Sequence, residues 1–464
     1  INQQSTIMRQ IIRLTIFLLL PATALLAQNR PLNDFDLRHI QVDFFPTAAR
    51  PLSMGGAGIA LSDDASATML NPAGVALFNR PAFAFSSRLR QTETEVPSPT
   101  AGDMSLQDNP SLGEFDQIFL NVILTYKHLR FASYREVVVD TRLPYTSKRP
   151  FMVADADPLQ ALRNNFPARE VRYRLRIVDN TSSLALRLTE RINIGGTLRL
   201  TSLDYSLSET GFMPASAPGP DRVIDYLLDD SNIYFMRNAD ERRWGAGFSG
   251  GLLVRLNSRM LGGFTYNYRP AFDIRAETRL PRYTLELGGT VASFAAGDQP
   301  QISRIRFDIP DSYGFGISYR YPGYFNAALD LTRIFYSQLL DRSTRFTSYE
   351  NLIQNDDDRG PGESDLSVED RWQVNFGMEY IFKFPLQRRS TRLPVRLGYY
   401  YDPPHQIYTT VNNPLFRALY PEAEGRHHFT TGLGFFAGGS TRFDAALHFS
   451  QSHLELLITS VYTF

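Results

Sequence analysis

The sequence predicts an all-β protein, a transmembrane antiparallel β-barrel of about 14 strands with an N-terminal hatch, or plug, in its lumen. Three observations carry this prediction: apolar residues recur at every second position over most of the chain after residue 80, very short links alternate with long polar ones, and the N-terminal stretch reads as an export signal.

Arg9 and Arg13 follow Met8, the apolar run Leu14 to Leu26 comes next, and the small residues Ala22, Ala24 and Ala27 close it. This is the order of a signal peptide, with cleavage expected after Ala27. The run is too short for a spanning helix, which needs about 20 residues. Residues 1–7 read as upstream sequence. No other segment is long and apolar enough to cross as a helix, so an exported chain of this kind is either soluble or a barrel.

Composition narrows the choice. The 464 residues are 43% hydrophobic and 21% charged, with no net charge. That excludes a disordered acidic or basic tail and removes the basic excess that nucleic-acid binding requires. The 33 Phe and 23 Tyr suit strands and the aromatic girdles of a membrane barrel. With no cysteine there is no disulfide framework and no thiolate metal site.

The alternation is explicit. Val171, Tyr173, Leu175 and Ile177 are separated by Arg172, Arg174 and Arg176. Leu184, Leu186 and Leu188 face opposite Ala185 and Arg187; Trp372 through Phe382, Val395 through Tyr401 and Phe443 through Phe449 repeat the pattern. A soluble sandwich also alternates, so the links decide. Short turns at 127–129, 189–191, 257–258, 321–323 and 437–439 alternate with long polar connections at 93–113, 142–170, 208–242, 278–309, 341–368 and 407–425. Short periplasmic turns and long external loops are the asymmetry of an outer-membrane barrel. The expected strands are 82–92, 114–126, 130–141, 171–188, 192–207, 243–256, 259–277, 310–321, 324–340, 369–384, 392–406, 426–437, 440–450 and 453–464. An even count puts both barrel ends on the periplasmic side. Leu454, Leu456, Ile458, Tyr462 and Phe464 share the lipid face of the last strand, and the terminal Phe464 resembles the signal read by the barrel-assembly machinery.

Residues 28–80 do not alternate. Gly, Ala and Ser dominate Met54-Gly-Gly-Ala-Gly-Ile-Ala60, Asp63-Asp64-Ala65 and Asn71-Pro72-Ala73-Gly74, so the segment can turn sharply and pack closely. A lumen this wide is not filled by wall side chains alone. The chain therefore divides into upstream residues and signal peptide (1–27), an N-terminal extension and hatch (28–80), and the barrel (81–464).

The runs beginning at Met54 and Asn71, with Phe78-Asn-Arg-Pro81, resemble the hatch of the long-chain fatty-acid transporter family, FadL-like barrels that include transporters of aromatic hydrocarbons. Weaker likenesses follow in the right order at 251–257, 264–274, 309–334, 398–404 and 426–434. The resemblance implies a 14-stranded barrel and passive, ATP-independent passage of hydrophobic or amphipathic molecules. It implies capture by external loops and lateral exit through the wall. It assigns the hatch and gating role to Asn71, Pro72, Ala73, Gly55, Gly56 and Gly58. Two departures stand out: residues 28–49 form a longer lead than a minimal hatch needs, and the third strand, 130–141, contains no Gly or Pro to announce the kink on which lateral exit depends. A related barrel serving an outer-membrane protein-secretion system is the alternative.

Candidate ligand contacts follow from chemistry. The 208–242 connection carries Phe212, Met213, Ile224, Leu227, Leu228 and Phe235, apolar groups that either bind ligand or fold over one another. Arg172, Arg174 and Arg176 are expected to face the lumen and to receive a carboxylate, or else to pair with lumenal acids such as Asp330, Glu379 and Asp444. Other motifs fail in context. Gly247-Phe-Ser249-Gly-Gly251 lies inside a strand rather than at a strand-to-helix elbow. Gly56-Ala-Gly58 lacks a βαβ frame. The acidic loop 355–360 has Arg359 at a calcium-ligand position. Adjacent His427 and His428 point to opposite faces. No enzyme activity, cofactor or metal is expected. The expected partners are outer-membrane lipid, a hydrophobic small molecule and the assembly machinery, with no nucleic acid, and the barrel is expected to be a monomer.

Overall fold

The computed structural model describes residues 42, 44–65, 68–92, 114–126, 128–147, 151–152, 165–166, 168–212, 233–279, 283–287, 290–294, 300–340, 366–386, 389–410, 422, 424–437, 439–450 and 453–464. The expected signal peptide, most of the 28–49 lead and the acidic 355–360 loop lie outside these residues.

Sixteen strand segments form one sheet. They are β1 (Ala82–Thr92), β2 (Glu114–Tyr126), β3 (Leu129–Ser147), β4 (Ala168–Arg187), β5 (Ile192–Phe212), β6 (Ile233–Arg255), β7 (Met260–Tyr268), β8 (Ala271–Arg279), β9 (Gln301–Asp308), β10 (Ser312–Tyr321), β11 (Phe325–Ile334), β12 (Arg371–Leu386), β13 (Arg389–Asp402), β14 (Arg426–Ala437), β15 (Thr441–Phe449) and β16 (His453–Thr463). All pairings are antiparallel, and β1 pairs β16 from Ala82↔Thr463 to Thr92↔His453, which closes the barrel. The segments make 14 wall strands because two of these strands are each broken once. β7 pairs β10 and β8 pairs β9, with Arg269-Pro270 interrupting one strand and Ile309-Pro310-Asp311 the other. Proline has no N–H for the ladder, and here two prolines break neighbouring strands at the same level. Ile309 N–H donates to Pro270 C=O at 3.4 Å across the break.

The outward face is apolar. Leu198 is 73% exposed, Leu124 56% and Leu397 55%, and Phe83, Phe315, Phe376, Phe429 and Ile458 are exposed beside them. Such a continuous belt is untenable in water and requires lipid. Near the short turns, Lys383 sits 3.6 Å over the Tyr324 ring and Arg259 5.0 Å over Tyr321, and Phe464 N–H donates to Pro81 C=O at 3.0 Å.

Several strands run further than the alternation suggests. β3 continues to Ser147, β5 to Phe212, and β6 begins at Ile233. Phe212 and Phe235 therefore belong to paired strands and not to the expected 208–242 loop; they are buried, and Phe212 is paired with Ile233. Met213, Ile224, Leu227 and Leu228 lie outside the described residues.

The expected face of the arginine triplet is reversed. Val171, Tyr173, Leu175 and Ile177 share the parity of the inward Asp179, Thr181 and Ser183, and they are buried in an interior cluster with Leu203, Tyr205, Ile274, Phe307 and Ile334. Arg172 is exposed and pairs with Glu170 at 3.2 Å. Above the lipid belt the outer face meets water, so charge belongs outside there. Alternation identifies two faces without saying which is inner.

β3 departs from the wall despite lacking glycine or proline between 130 and 141. It pairs β2 only from Leu129 to Glu136, then follows β4 alone through a register shift between Val137 and Val139. β2 stays with β1, which carries its own shift at Ser86/Ser87. The two strands thus part above Phe119 and Glu136. Arg176 spans the parting, 3.2 Å from Asp116 on β2 and 3.7 Å from Asp140 on β3.

Candidate functional site: the lumen and the N-terminal segment within it

The segment from Val42 to Pro81 contains one helical turn, α1 (Ala49–Ser53), and a 3-10 turn at Pro72–Leu77. Their small side chains are almost all buried. Wall side chains from many strands reach its main chain. Thr459 accepts from Ala49 N–H at 2.7 Å, Thr430 from Gly55 N–H at 3.0 Å, and Asp330 from Gly58 and Ile59 N–H at 2.6 and 2.8 Å. Asn375 donates to Gly55 C=O at 2.7 Å, Ser318 to Ala60 C=O at 2.8 Å, and Asn121 to Thr68 at 2.8 Å. Arg130 donates to Phe78 C=O. Partners spread around the ring can meet one segment only if it lies inside.

Contact is close enough to dictate glycine on both sides. Gly55 has φ of 62°, and a Cβ there would strike the backbone of Phe376 and Tyr399. On the wall, a Cβ at Gly377 or Gly398 would strike Met54 and Gly55, one at Gly263 would strike Ile59, and one at Gly195 or Gly251 would strike Asn71 to Ala73. Glycine weakens strands, and here close backbone approach explains it. Asn71 organises this corner. Its carbonyl caps the 3-10 turn by accepting from Ala73 N–H at 3.0 Å, and its amide donates to Ile59 C=O at 2.8 Å and to wall Leu252 C=O at 3.2 Å. The resemblance-derived residues Gly55, Gly56, Gly58, Asn71, Pro72 and Ala73 thus lie along one contact between segment and wall.

An ion-pair network ties the segment to β10, β12, β13 and β15. Arg50 meets Asp63 at 2.5 Å, Asp64 at 2.8 Å and Glu379 at 3.2 Å. Arg396 meets Glu379 at 2.6 Å and Asp444 at 2.8 Å, Arg442 meets Asp64 and Asp444 at 2.7 Å each, and Arg320 meets Asp63 at 3.1 Å. Four arginines face four carboxylates. Burial disfavours the Arg50 charge, yet Asp63, Glu379 and Asp64 hold its pKa above the ordinary arginine value. Glu379 and Asp444 pair with lumenal arginine, as the sequence allowed, but Asp330 instead accepts backbone N–H groups.

Beneath Phe44 and Phe45 lies a cavity of about 140 Å³. It runs from Glu136 and Val138 on β3, beside the strand parting, to Asp330 and Asn375 across the lumen, floored by Ile59, Met69 and Leu70. Arg199 and Arg269 border it; they meet Asp179 at 3.0 and 3.2 Å, and Arg269 lies 4.6 Å over the Phe44 ring. The sequence analysis did not single out Arg199, Arg269 or Glu136. These residues are far apart in sequence, and no local pattern joins them.

Two other motifs resolve plainly. Ser249 lies within β6 and donates to Asn267 at 2.8 Å, with no elbow. His427 stacks outside on Tyr399, whereas His428 is buried against Tyr400 and His448.

A closed barrel with an apolar outer belt and its own N-terminal segment packed against the inner wall defines a membrane-spanning β-barrel. The outer membrane transport protein family (OMPP1/FadL/TodX) matches this chain over residues 160–454. Among solved structures, the CymD monoaromatic hydrocarbon channel shares 16% identity at a TM-score of 0.56, covering 91% of this chain and 99% of that one. The Ralstonia pickettii toluene transporter TbuX shares 16% at 0.55, covering 93% and 100%. A Pseudomonas aeruginosa FadL homologue shares 13% at 0.58, covering 91% and 99%. No curated protein matches the chain. The chain belongs to the OMPP1/FadL/TodX family of outer-membrane transport proteins.

Proposed function

We propose that this barrel passively carries hydrophobic or amphipathic small molecules, long-chain fatty acids or hydrocarbons, across the outer membrane as a monomer, with residues 28–80 acting as the hatch. The observation that carries the reading is a cavity inside the barrel beside the point where β3 leaves β2. The external lumen is apolar, from Tyr173, Leu175, Tyr205 and Phe307, and the cavity beneath Phe44 and Phe45 reaches Val138 where β3 leaves β2. Below it, the glycine seats and ion pairs of the N-terminal segment close the direct path to the periplasm. A ligand caught at the external end would pass under Phe44 and leave sideways between β2 and β3. The solved toluene and monoaromatic channels of this fold support the same chemistry.

Reconstituted vesicles test the proposal. Wild-type barrel is expected to speed uptake of a labelled hydrocarbon or fatty acid without ATP or an ion gradient. Val138→Trp, which fills the cavity beside the parting, is expected to reduce it about tenfold while barrel migration on unheated gels is unchanged. Mass spectrometry of the purified barrel is expected to show a bound acid or hydrocarbon. An empty barrel with a stoichiometric protein partner would instead favour a secretion-system component.

A further inference from the structure

The wall has a second lapse in strand pairing, away from β2 and β3. β6 pairs β7 from Arg255↔Leu261 to Phe248↔Tyr268, and it pairs β8 only from Asn238↔Glu277 to Met236↔Arg279. Residues 239–247 and 269–276 lie between these two ladders and are not paired with each other. At this level the backbone of the broken strand turns the other way. Arg269 N–H donates to the Asp311 carboxylate at 2.7 Å, and Pro270 C=O accepts from Ile309 N–H, both on the side away from β6.

Side-chain packing fills the gap from within. A Cβ at Gly245 would strike the Pro270 and Phe272 side chains, and one at Gly247 would strike Tyr268 C=O and Pro270. Both glycines share the inward parity of buried Ala239 and Ser249, so Pro270 and Phe272 sit over the inner side of β6. Outside, the usual alternation of exposure fails: Arg242, Arg243 and Trp244 are exposed in succession, as on a strand whose edge is uncovered.

The height of the gap follows from its neighbours. At its lower end Phe248 stacks on Tyr268 at 5.1 Å, both exposed on the lipid face. Next comes Trp244, with Arg242 5.7 Å over its ring, and then the exposed Asp240, Asp273 and Arg275. That is the order of a membrane interface, so the gap begins where hydrocarbon ends. Headgroups and water can satisfy open backbone groups there, as hydrocarbon could not.

We propose that the gap between β6 and β8 is a lateral inlet, through which a hydrophobic molecule already dissolved in the outer leaflet reaches the apolar lumen, with Pro270 and Phe272 as its movable stop. The inference rests on the transport reading. Parting two laddered strands breaks backbone hydrogen bonds, whereas parting these displaces only packed side chains. Behind the stop lie Leu203, Tyr205 and Ile274 of the interior cluster, so a molecule that displaces Phe272 exchanges lipid for another apolar surrounding. Strands β3 to β6 separate this gap from the parting of β2 and β3, which makes entrance and exit different places in the wall.

The chain has no cysteine, so Ala246→Cys with Ala271→Cys, exposed on either side of the gap, gives a pair that a short bis-methanethiosulfonate bridges and a reductant releases. The purified full-length barrel is placed in vesicles containing a photoactivatable hexadecane, and labelled residues are read by mass spectrometry. Label is expected at Phe272 and Ile274 before bridging, is expected to be lost on bridging and regained on reduction, and is expected at lipid-facing Phe248 throughout. Equal labelling of Phe272 and Ile274 before and after bridging, or none before it, overturns the inlet. Hydrogen exchange of the wild-type barrel gives a second test that needs no variant. Alternate amides of 239–247 are expected to exchange as fast as those of an edge strand, and protection equal to that of 249–255 overturns the gap. Label at Val138 and Met69 with an unaltered pattern on bridging leaves the transport reading standing without this inlet; an interior with no label at all overturns the transport reading itself.

Discussion

The two ends of the lumen are built on opposite rules. Toward the short turns, the inner face is charged and the outer face greasy: Glu379, Arg396, Asp444 and Arg442 point in, while Phe376, Leu397, Phe443 and Leu447 point out. Toward the external end the inner face is apolar, with Val171, Tyr173, Leu175 and Ile177, and the outer face carries Arg172 and Arg242, each paired with an acid. The solvent outside changes from lipid to water along one strand, and the side-chain pattern changes with it. The filling differs too. At the charged end the N-terminal segment meets the wall backbone to backbone at glycines, where a Cβ has no room. The apolar end is held by side-chain packing.

Four substitutions sharpen this contrast, in descending order of effect. Gly55→Val places a side chain against Phe376 and Tyr399 backbone at a left-handed φ, and the loss is expected to exceed about 3 kcal/mol. Little heat-modifiable barrel should be recovered, and normal yield would show that the seal is looser than its geometry. Glu379→Ala leaves Arg50 and Arg396 short of a buried partner, at about 3–5 kcal/mol, read from denaturant unfolding in detergent. Asn71→Ala removes the cap and the wall bonds, at about 1–2 kcal/mol, and is expected to increase hydrogen exchange at residues 72–77 more than in β12 or β13. Arg172→Ala, on the wet outer face, is expected to change stability by no more than about 0.5 kcal/mol; a loss of several kcal/mol would place that arginine inside after all.

Much of this was legible beforehand, for identifiable reasons. The strand at 372–382 announces its lipid face because lipid admits no polar group over its whole span, so Trp372, Phe376 and Phe382 alternate cleanly with Gln373, Asn375 and Glu379. The same logic misleads at 171–177, where the pattern is equally regular but the outer medium is water. Phe212 and Phe235 were read as loop because polar residues surround them, yet strand pairing extends past the membrane. The parting of β3 had no signal, since a bulge at Val138 needs neither glycine nor proline.

The amino-acid order alone determined the barrel, its strand count and the presence of a compact glycine-rich segment before it, because two-residue periodicity, turn length and small-residue content are local properties. Only the tertiary structure decided which face of each strand is inner, that wall glycines such as Gly195, Gly251 and Gly398 are seats for that segment, and that Glu136, Arg199 and Arg269 gather around one cavity. Those facts arise when strands distant in the chain close into a ring. Charge balance and close approach between such strands belong to the closed ring and to no stretch of sequence within it.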